Sequence, residues 1–235
     1  MNNLERFLVF ASESLDSAGY RRLCTEGVDA GDAKENEIAH YISVLNDARD
    51  EKPLQKFLTD YPQLLVAQLG GGCRWVIPEL QFGSQYRADF LVARIDSTGV
   101  DWKLVELESP RSSLFTKDGK PSRSLAKGMS QIRDWRIWLQ KNSGYATNSK
   151  PNGLNLTGIS AQSRGLILIG RDVDRTSKDR ELIQYYSFNE QIAIHSYDWL
   201  VREARRRIEL RRANPIVFEE DCEICTVYGY YRSDA

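Results

Sequence analysis

The chain of 235 residues is short of several things at once. Four cysteines, Cys24, Cys73, Cys222 and Cys225, are too few for a disulfide scaffold at this length. Cys222 and Cys225 form a lone C-x2-C with no second pair to complete a structural zinc site, so free thiols are expected. The two histidines, His40 and His195, are too few and too far apart for a histidine-built metal centre. No apolar run approaches the ~20 residues of a bilayer span, the longest being of the "LLVAQL" and "GLILIG" kind, so no membrane association is expected. The start, "MNNLERFLVF", carries Glu5 and lacks an apolar core, so no signal peptide is read there and the cytoplasm is the expected compartment. The sequon Asn155-Leu156-Thr157 is then read as coincidence. "GKPS" at 119–122 lacks the context of a Walker loop, and no internal repeat is present. Net charge is missing too: −1 excludes a uniformly basic nucleic-acid coat. What remains, 41% hydrophobic and 28% charged, is the composition of a globular protein, of a length for one domain with an appendage.

The neutral sum hides blocks. Residues 1–60 sum to −5, 111–141 to +6, the Arg-rich 202–212 to +4 and the tail 216–235 to −4. A local basic face on a neutral protein can hold phosphates without indiscriminate DNA binding. For 202–212, Arg alternating with Glu at helical spacing reads as a solvated helix face. Residues 1–45 read as an N-terminal helical cap, 46–213 as the main domain and 214–235 as an acidic tail. Within the main domain, Leu54, Phe57, Leu58 and Leu65 recur at helical intervals, with Pro62 interrupting. Three strand-like segments follow, at 73–82, 86–95 and 102–108. After a polar loop at 109–123, a helix is expected over about 124–142, with Leu125, Met129, Ile132 and Leu139 on one stripe. A loop at 143–163 precedes a buried strand, "RGLILIG", then a helix around 175–187, the strand "QIAIHS" and a helix over 197–212. Trp135 reads as core, and Trp138 as core or base-stacking. This order predicts an α/β fold with a mixed central sheet flanked by helices.

Three acids sit where acids are awkward. Asp89 lies within "YRADFLVARI", and Glu106 and Glu108 within "WKLVELESP". Strand alternation puts Glu106 and Glu108 on one face, where they repel and cost energy to desolvate. A hard divalent ion such as Mg²⁺, or Mn²⁺, removes that cost. The implied site has Asp89 and Glu106 as metal ligands, the Leu107 carbonyl as a further ligand, and Glu108 beside an attacking water. An exposed strand end is the plainer alternative, disfavoured because the acids cluster at strand ends where ligands bind in α/β sheets.

These residues carry a resemblance. Asp89 followed at a distance by Glu106-Leu107-Glu108 and then Gln131 resembles the PD-(D/E)xK nuclease superfamily, of restriction-endonuclease-like fold. The segments "LQKFLTDYPQLL", "IPELQFGSQYRADFLVA", "WKLVELESPRSSLFTKDGKPSRSLAKGMSQIRDWRIWL" and "IAIHSYDWLVREA" resemble more specifically the Shedu family of anti-phage defence nucleases, over about 45–205. The resemblance implies metal ligation by Asp89 and Glu106, and site roles for Glu51 and Gln131. It implies DNA as partner and a homo-oligomer.

The sequence departs from the pattern at Glu108, where the family usually has Lys. Glu108 can act as general base or second-metal ligand, or Lys127, one helical turn before Gln131, can supply the missing cation. Lys103 is the poorer substitute, because its odd position puts it on the opposite strand face. Phosphate contacts are expected from Lys117, Lys120, Arg123 and Lys127. The functional expectation is a Mg²⁺-dependent endodeoxyribonuclease. The alternatives are a catalytically silent nucleic-acid-binding or regulatory relative, and an oligomeric interaction protein.

Overall fold

The computed structural model describes residues 15, 18–24, 32–69, 73–96 and 99–213. The acidic tail with Cys222 and Cys225, and most of the first seventeen residues, lie outside them. In chain order the elements are β1 (Arg21–Cys24), α1 (Glu35–Asp47), α2 (Lys52–Asp60), α3 (Gln63–Val66), β2 (Cys73–Pro78), β3 (Gln81–Phe82), β4 (Tyr86–Arg87), β5 (Phe90–Asp96) and β6 (Gly99–Leu107). Then come α4 (Arg123–Lys141), α5 (Ser143–Thr147), β7 (Arg164–Leu168), a 3-10 turn (Asp172–Asp174), α6 (Ser177–Glu190), β8 (Ile192–His195) and α7 (Tyr197–Ala213).

The main sheet runs β1-β2-β5-β6-β7-β8, antiparallel as far as β6 and parallel from β6 to β8. The switch follows from the connections. Short links join β5 to β6, whereas α4 and α6 each carry the chain back across the sheet before the next strand, as parallel pairing requires. The mixed α/β sheet expected from the sequence is therefore present.

Strand parity divides the core in two. Leu91, Ala93, Trp102, Leu104 and Ile167 face α4, whose stripe of Leu125, Met129, Ile132, Trp135 and Leu139 is buried against them. Phe90, Val92, Val105, Leu107, Leu166 and Leu168 face the other way, onto α1, α2, α3 and α7. Both Trp135 and Trp138 belong to the first layer, Trp138 with its ring centroid 5.2 Å from that of Phe82, so neither is free to stack a base.

Several expectations need correction. Within the segment read as a helical cap, Arg21–Cys24 is a strand, extending the sheet through pairing with β2. Its four residues carry too little pattern to decide the matter locally; tertiary pairing decides it. The segment 73–82 is not one strand: Glu79 takes φ 49° after Pro78, and the chain turns into the β3–β4 hairpin. The loop at 143–163 holds the short helix α5. The loop at 109–123 is ordered, with Leu114 and Phe115 buried and a bridge from Phe115 to Pro121. Of the arginines of 202–212, Arg206 pairs with Glu203 on its own helix, while Arg202 and Arg207 pair with the distant Asp172 and Asp32. Asn155 of the sequon is buried, which removes it as an acceptor site.

Candidate active site

Asp89 does not lie inside its strand. The chain bends there, one residue before β5 begins. Nor do the acids share C-terminal strand ends: Glu106 is the penultimate residue of β6, Glu108 follows its end, and Asp89 precedes the start of β5. Antiparallel pairing brings these ends together. The register Phe90↔Val105, continued by one residue, sets Asp89 opposite Glu106. The next rung is made by a side chain: Leu107 N–H donates to Asp89 Oδ2 at 2.8 Å. Asp89 Oδ1 accepts from Gln55 Nε2 at 3.1 Å.

Glu106 and Glu108 are 3% and 5% exposed. Both face α4 at Gly128, where an added Cβ would lie 3.5 Å from the Cγ of each. On that helix Lys127, the residue before Gly128, donates from Nζ to Glu108 Oε1 at 3.0 Å, and Gln131, a turn further on, sets its side chain beside Glu106. Lys127 remains more than half exposed. Glu51, the residue before α2, adds its charge near Asp89, Glu108 and Lys127. Pro53 in the first turn of α2 fixes where that helix starts, and Gln55 follows Glu51 by one turn, with its N–H bonded to the Glu51 carbonyl at 2.8 Å. Arg111 braces the approach, donating to the carbonyls of Asn46 and Ala48 at the end of α1. Behind the site, Glu108 N–H donates to Leu168 O and Tyr197 OH to Glu108 O, at 2.9 and 2.8 Å.

Burial dominates the electrostatics. It pushes the Glu106 carboxyl up to about 9, reinforced by Asp89 and Glu108 and opposed by Lys127 and Gln131. Burial also raises Asp89, opposed by the Leu107 N–H, and raises Glu108, opposed by Lys127. For Lys127, burial works against its charge, but the hydrogen bond and charge of Glu108 outweigh it and the net shift is upward. Glu106 Oε2 is buried with no hydrogen-bond partner. Among the described residues, no group of three or more His, Cys, Asp or Glu side chains is gathered closely enough to hold a metal by itself. The fit to a metal rests instead on donor chemistry: the carboxylate oxygens of Asp89 and Glu106, with Glu106 Oε2 unpartnered, are of the kind a hard cation such as Mg²⁺ would take while water and substrate complete its shell.

Of the residues expected at the site, Asp89, Glu106, Glu108, Gln131, Lys127 and Glu51 converge here, and Leu107 contributes its N–H to Asp89. Lys117 and Lys120 are exposed on the bridged hairpin before α4, and Arg123 begins that helix. None of these three makes an ion pair among the described residues, whose ion pairs involve other cations. Lys103 is on the far face, bonded to Gln68 Oε1 at 2.5 Å. Gln55 was not anticipated. Its signal was present, because a glutamine four residues after Glu51 shares that helix face.

The family model of the Shedu protein SduA C-terminal region matches residues 48–201. The chain belongs to that family. Membership carries a Shedu defence-related role. No curated protein matches the chain. Among the described residues, no helix of this Shedu-family chain is long and apolar enough to cross a membrane.

Proposed function

We propose that the chain is a metal-dependent endonuclease that hydrolyses DNA phosphodiesters in defence against invading phage. The observation that carries this reading is the acid trio at the β5–β6 end, Glu106 and Glu108 buried and Asp89 half-buried, with Glu106 Oε2 unpartnered in a protein interior. Unpaired buried carboxylates cost several kcal/mol and persist where a cation or a reaction uses them.

Asp89 and Glu106, with the Leu107 carbonyl, are the groups that would hold Mg²⁺ or Mn²⁺, which when bound supplies Lewis-acid polarisation of a scissile phosphate. Glu108 is the proton acceptor for the attacking water: one oxygen is held by Lys127, which leaves Oε2 to take the proton. Lys127 stands where it can balance charge on the phosphate, in place of the lysine usual at position 108. Gln131 stands beside Glu106, where its amide favours the charged carboxylate, and Gln55 holds Asp89. Arg123 and Lys127 in the first turns of α4 oppose the helix dipole, an unfavourable placement that a bound phosphate reverses. Lys117 and Lys120 extend the same basic surface and carry phosphate contacts that do not read sequence.

The test is incubation of the purified protein with supercoiled plasmid and with linear DNA, in Mg²⁺, in Mn²⁺ and in EDTA. Metal-dependent nicking or linearisation is expected. Intact DNA in both metals, with no rise in melting temperature on adding either, would refute the reading.

A further inference from the structure

At the opposite end of the parallel strands from the acids, a cleft of about 320 Å³ opens between the start of β7 and the end of α6. Small-molecule sites begin at roughly this size. Two cations line it, Lys103 and Arg164, direct neighbours across the β6·β7 ladder. Like charges in register are destabilising in a sheet, so their placement needs a reason. Arg164 is exposed and makes no ion pair among the described residues, and no acid lines the cleft. Burial pushes the Lys103 ammonium below its ordinary value; nearby Asp101 opposes that, and Arg94 and Arg164 add to it. Its bond to Gln68 is to a neutral amide. On the cleft's other wall, Ser187 Oγ is buried with no hydrogen-bond partner, and the next residue, Phe188, is 83% exposed.

The C-terminal carbonyls of α6 would ordinarily repel an anion. Here Arg136 meets two carbonyls at that end, those of Glu190 and the capping Gln191, at 2.8 and 2.9 Å, and also donates to the Ser163 carbonyl at 3.0 Å. Gln191, in the left-handed region at φ 53°, caps the helix there, its N–H bonded to the Ser187 carbonyl.

We propose that this cleft binds a free nucleoside monophosphate, with its phosphate on Lys103 and Arg164, a hydroxyl donor from Ser187, and its base on the Phe188 ring. A phosphate pairs the two cations and satisfies the serine. An exposed phenyl ring beside it is the complement of a planar base. The site is separate from the acid cluster and does not depend on the nuclease reading.

Calorimetric titration of the whole chain with AMP and with inorganic phosphate, in EDTA, tests the assignment, because no metal can then recruit a nucleotide to the carboxylates. AMP is expected to bind more tightly than phosphate. Arg164→Gln should weaken both by about tenfold, the worth of a charge-assisted hydrogen bond. Phe188→Ala should weaken AMP by about tenfold and leave phosphate unchanged. Both side chains are exposed, so both variants should fold, and circular dichroism checks it. Silence of the wild type toward both ligands overturns the proposal, as does binding indifferent to Arg164→Gln. Equal affinity for AMP and phosphate, unaltered by Phe188→Ala, also overturns it. Single-stranded DNA that displaces AMP and shares its loss in Arg164→Gln would make the cleft part of a DNA track, not a nucleotide site.

Discussion

The C-terminal end and the middle of β6 carry opposite charge and solve opposite problems. Toward its C-terminal end, Glu106 and the following Glu108 face α4 and are pushed toward protonation; nearer its middle, Lys103 faces the other layer and is pushed toward deprotonation. Three positions separate Lys103 from Glu106, yet they do not neutralise each other, because an odd separation along a strand puts two side chains on opposite faces. The contrast teaches that local net charge is a poor guide to a site: parity decides which charges meet. Among the described residues, the one cation bonded to the acids, Lys127, arrives from a helix and reaches Glu108, not Glu106.

The comparison can be broken first at the acids. Asp89→Asn and Glu106→Gln should each reduce plasmid cleavage on the order of 10³-fold or more, with the fold retained. Residual cleavage near wild type in both would remove the metal-ligand assignment. Glu108→Gln should cost about 10²-fold, within the range for one positioned acid–base group. Glu108→Lys places a lysine on the acid face; if the wild type is inert and this variant cuts, the chain is a silenced nuclease.

Stability against pH sharpens the contrast. Glu106 titrates in the fold near 9 against an ordinary value of 4.5, so the stability it contributes is full below 4.5 and declines as pH rises through about 9. In EDTA at pH 8, Glu106→Gln should therefore melt above wild type, by roughly 2–4 °C per kcal/mol relieved. Mg²⁺ should stabilise the wild type and not this variant. His195, on the Lys103 side of the sheet, shows the opposite sign. Burial, then Arg175 and Lys103, lowers it from 6.5 to about 4, so its contribution is intact above 6.5 and lost as pH falls through about 4. His195→Gln should flatten melting temperature against pH in that lower window and leave the upper one alone. The smallest effect is expected at Gly128→Ala. A methyl there meets Ile167 Cδ1 at 3.3 Å, a tight contact that offsets the ~1 kcal/mol helix gain, so stability should move by under about 1 kcal/mol in thermal melts.

Much of this was readable from residue order. The buried β7 run, the α4 stripe and the shared face of Glu106 and Glu108 follow from periods of 3.6 and 2, and the same period excluded Lys103. What escaped the sequence depends on partners distant along the chain. Arg21–Cys24 is a strand because β2 offers it an edge. Asp89 lies at a bend, and not within a strand, because its carboxylate takes a backbone N–H as a ladder carbonyl would. Leu114 and Phe115 sit in a polar-looking stretch, yet fill the α4 layer. Gln55 lacked only the knowledge that α2 abuts the β5 start.

The hydrogen bond from Tyr197 to the Glu108 carbonyl spans 89 residues. On a ribosome, the segments bearing Asp89, Glu106 and Gln131 emerge first; the Glu108 N–H finds Leu168 only when β7 is made, and its carbonyl finds a partner only when α7 has begun. An incomplete nascent chain then carries the acids without their final alignment, so synthesis itself delays assembly of the site until nearly the whole domain is made.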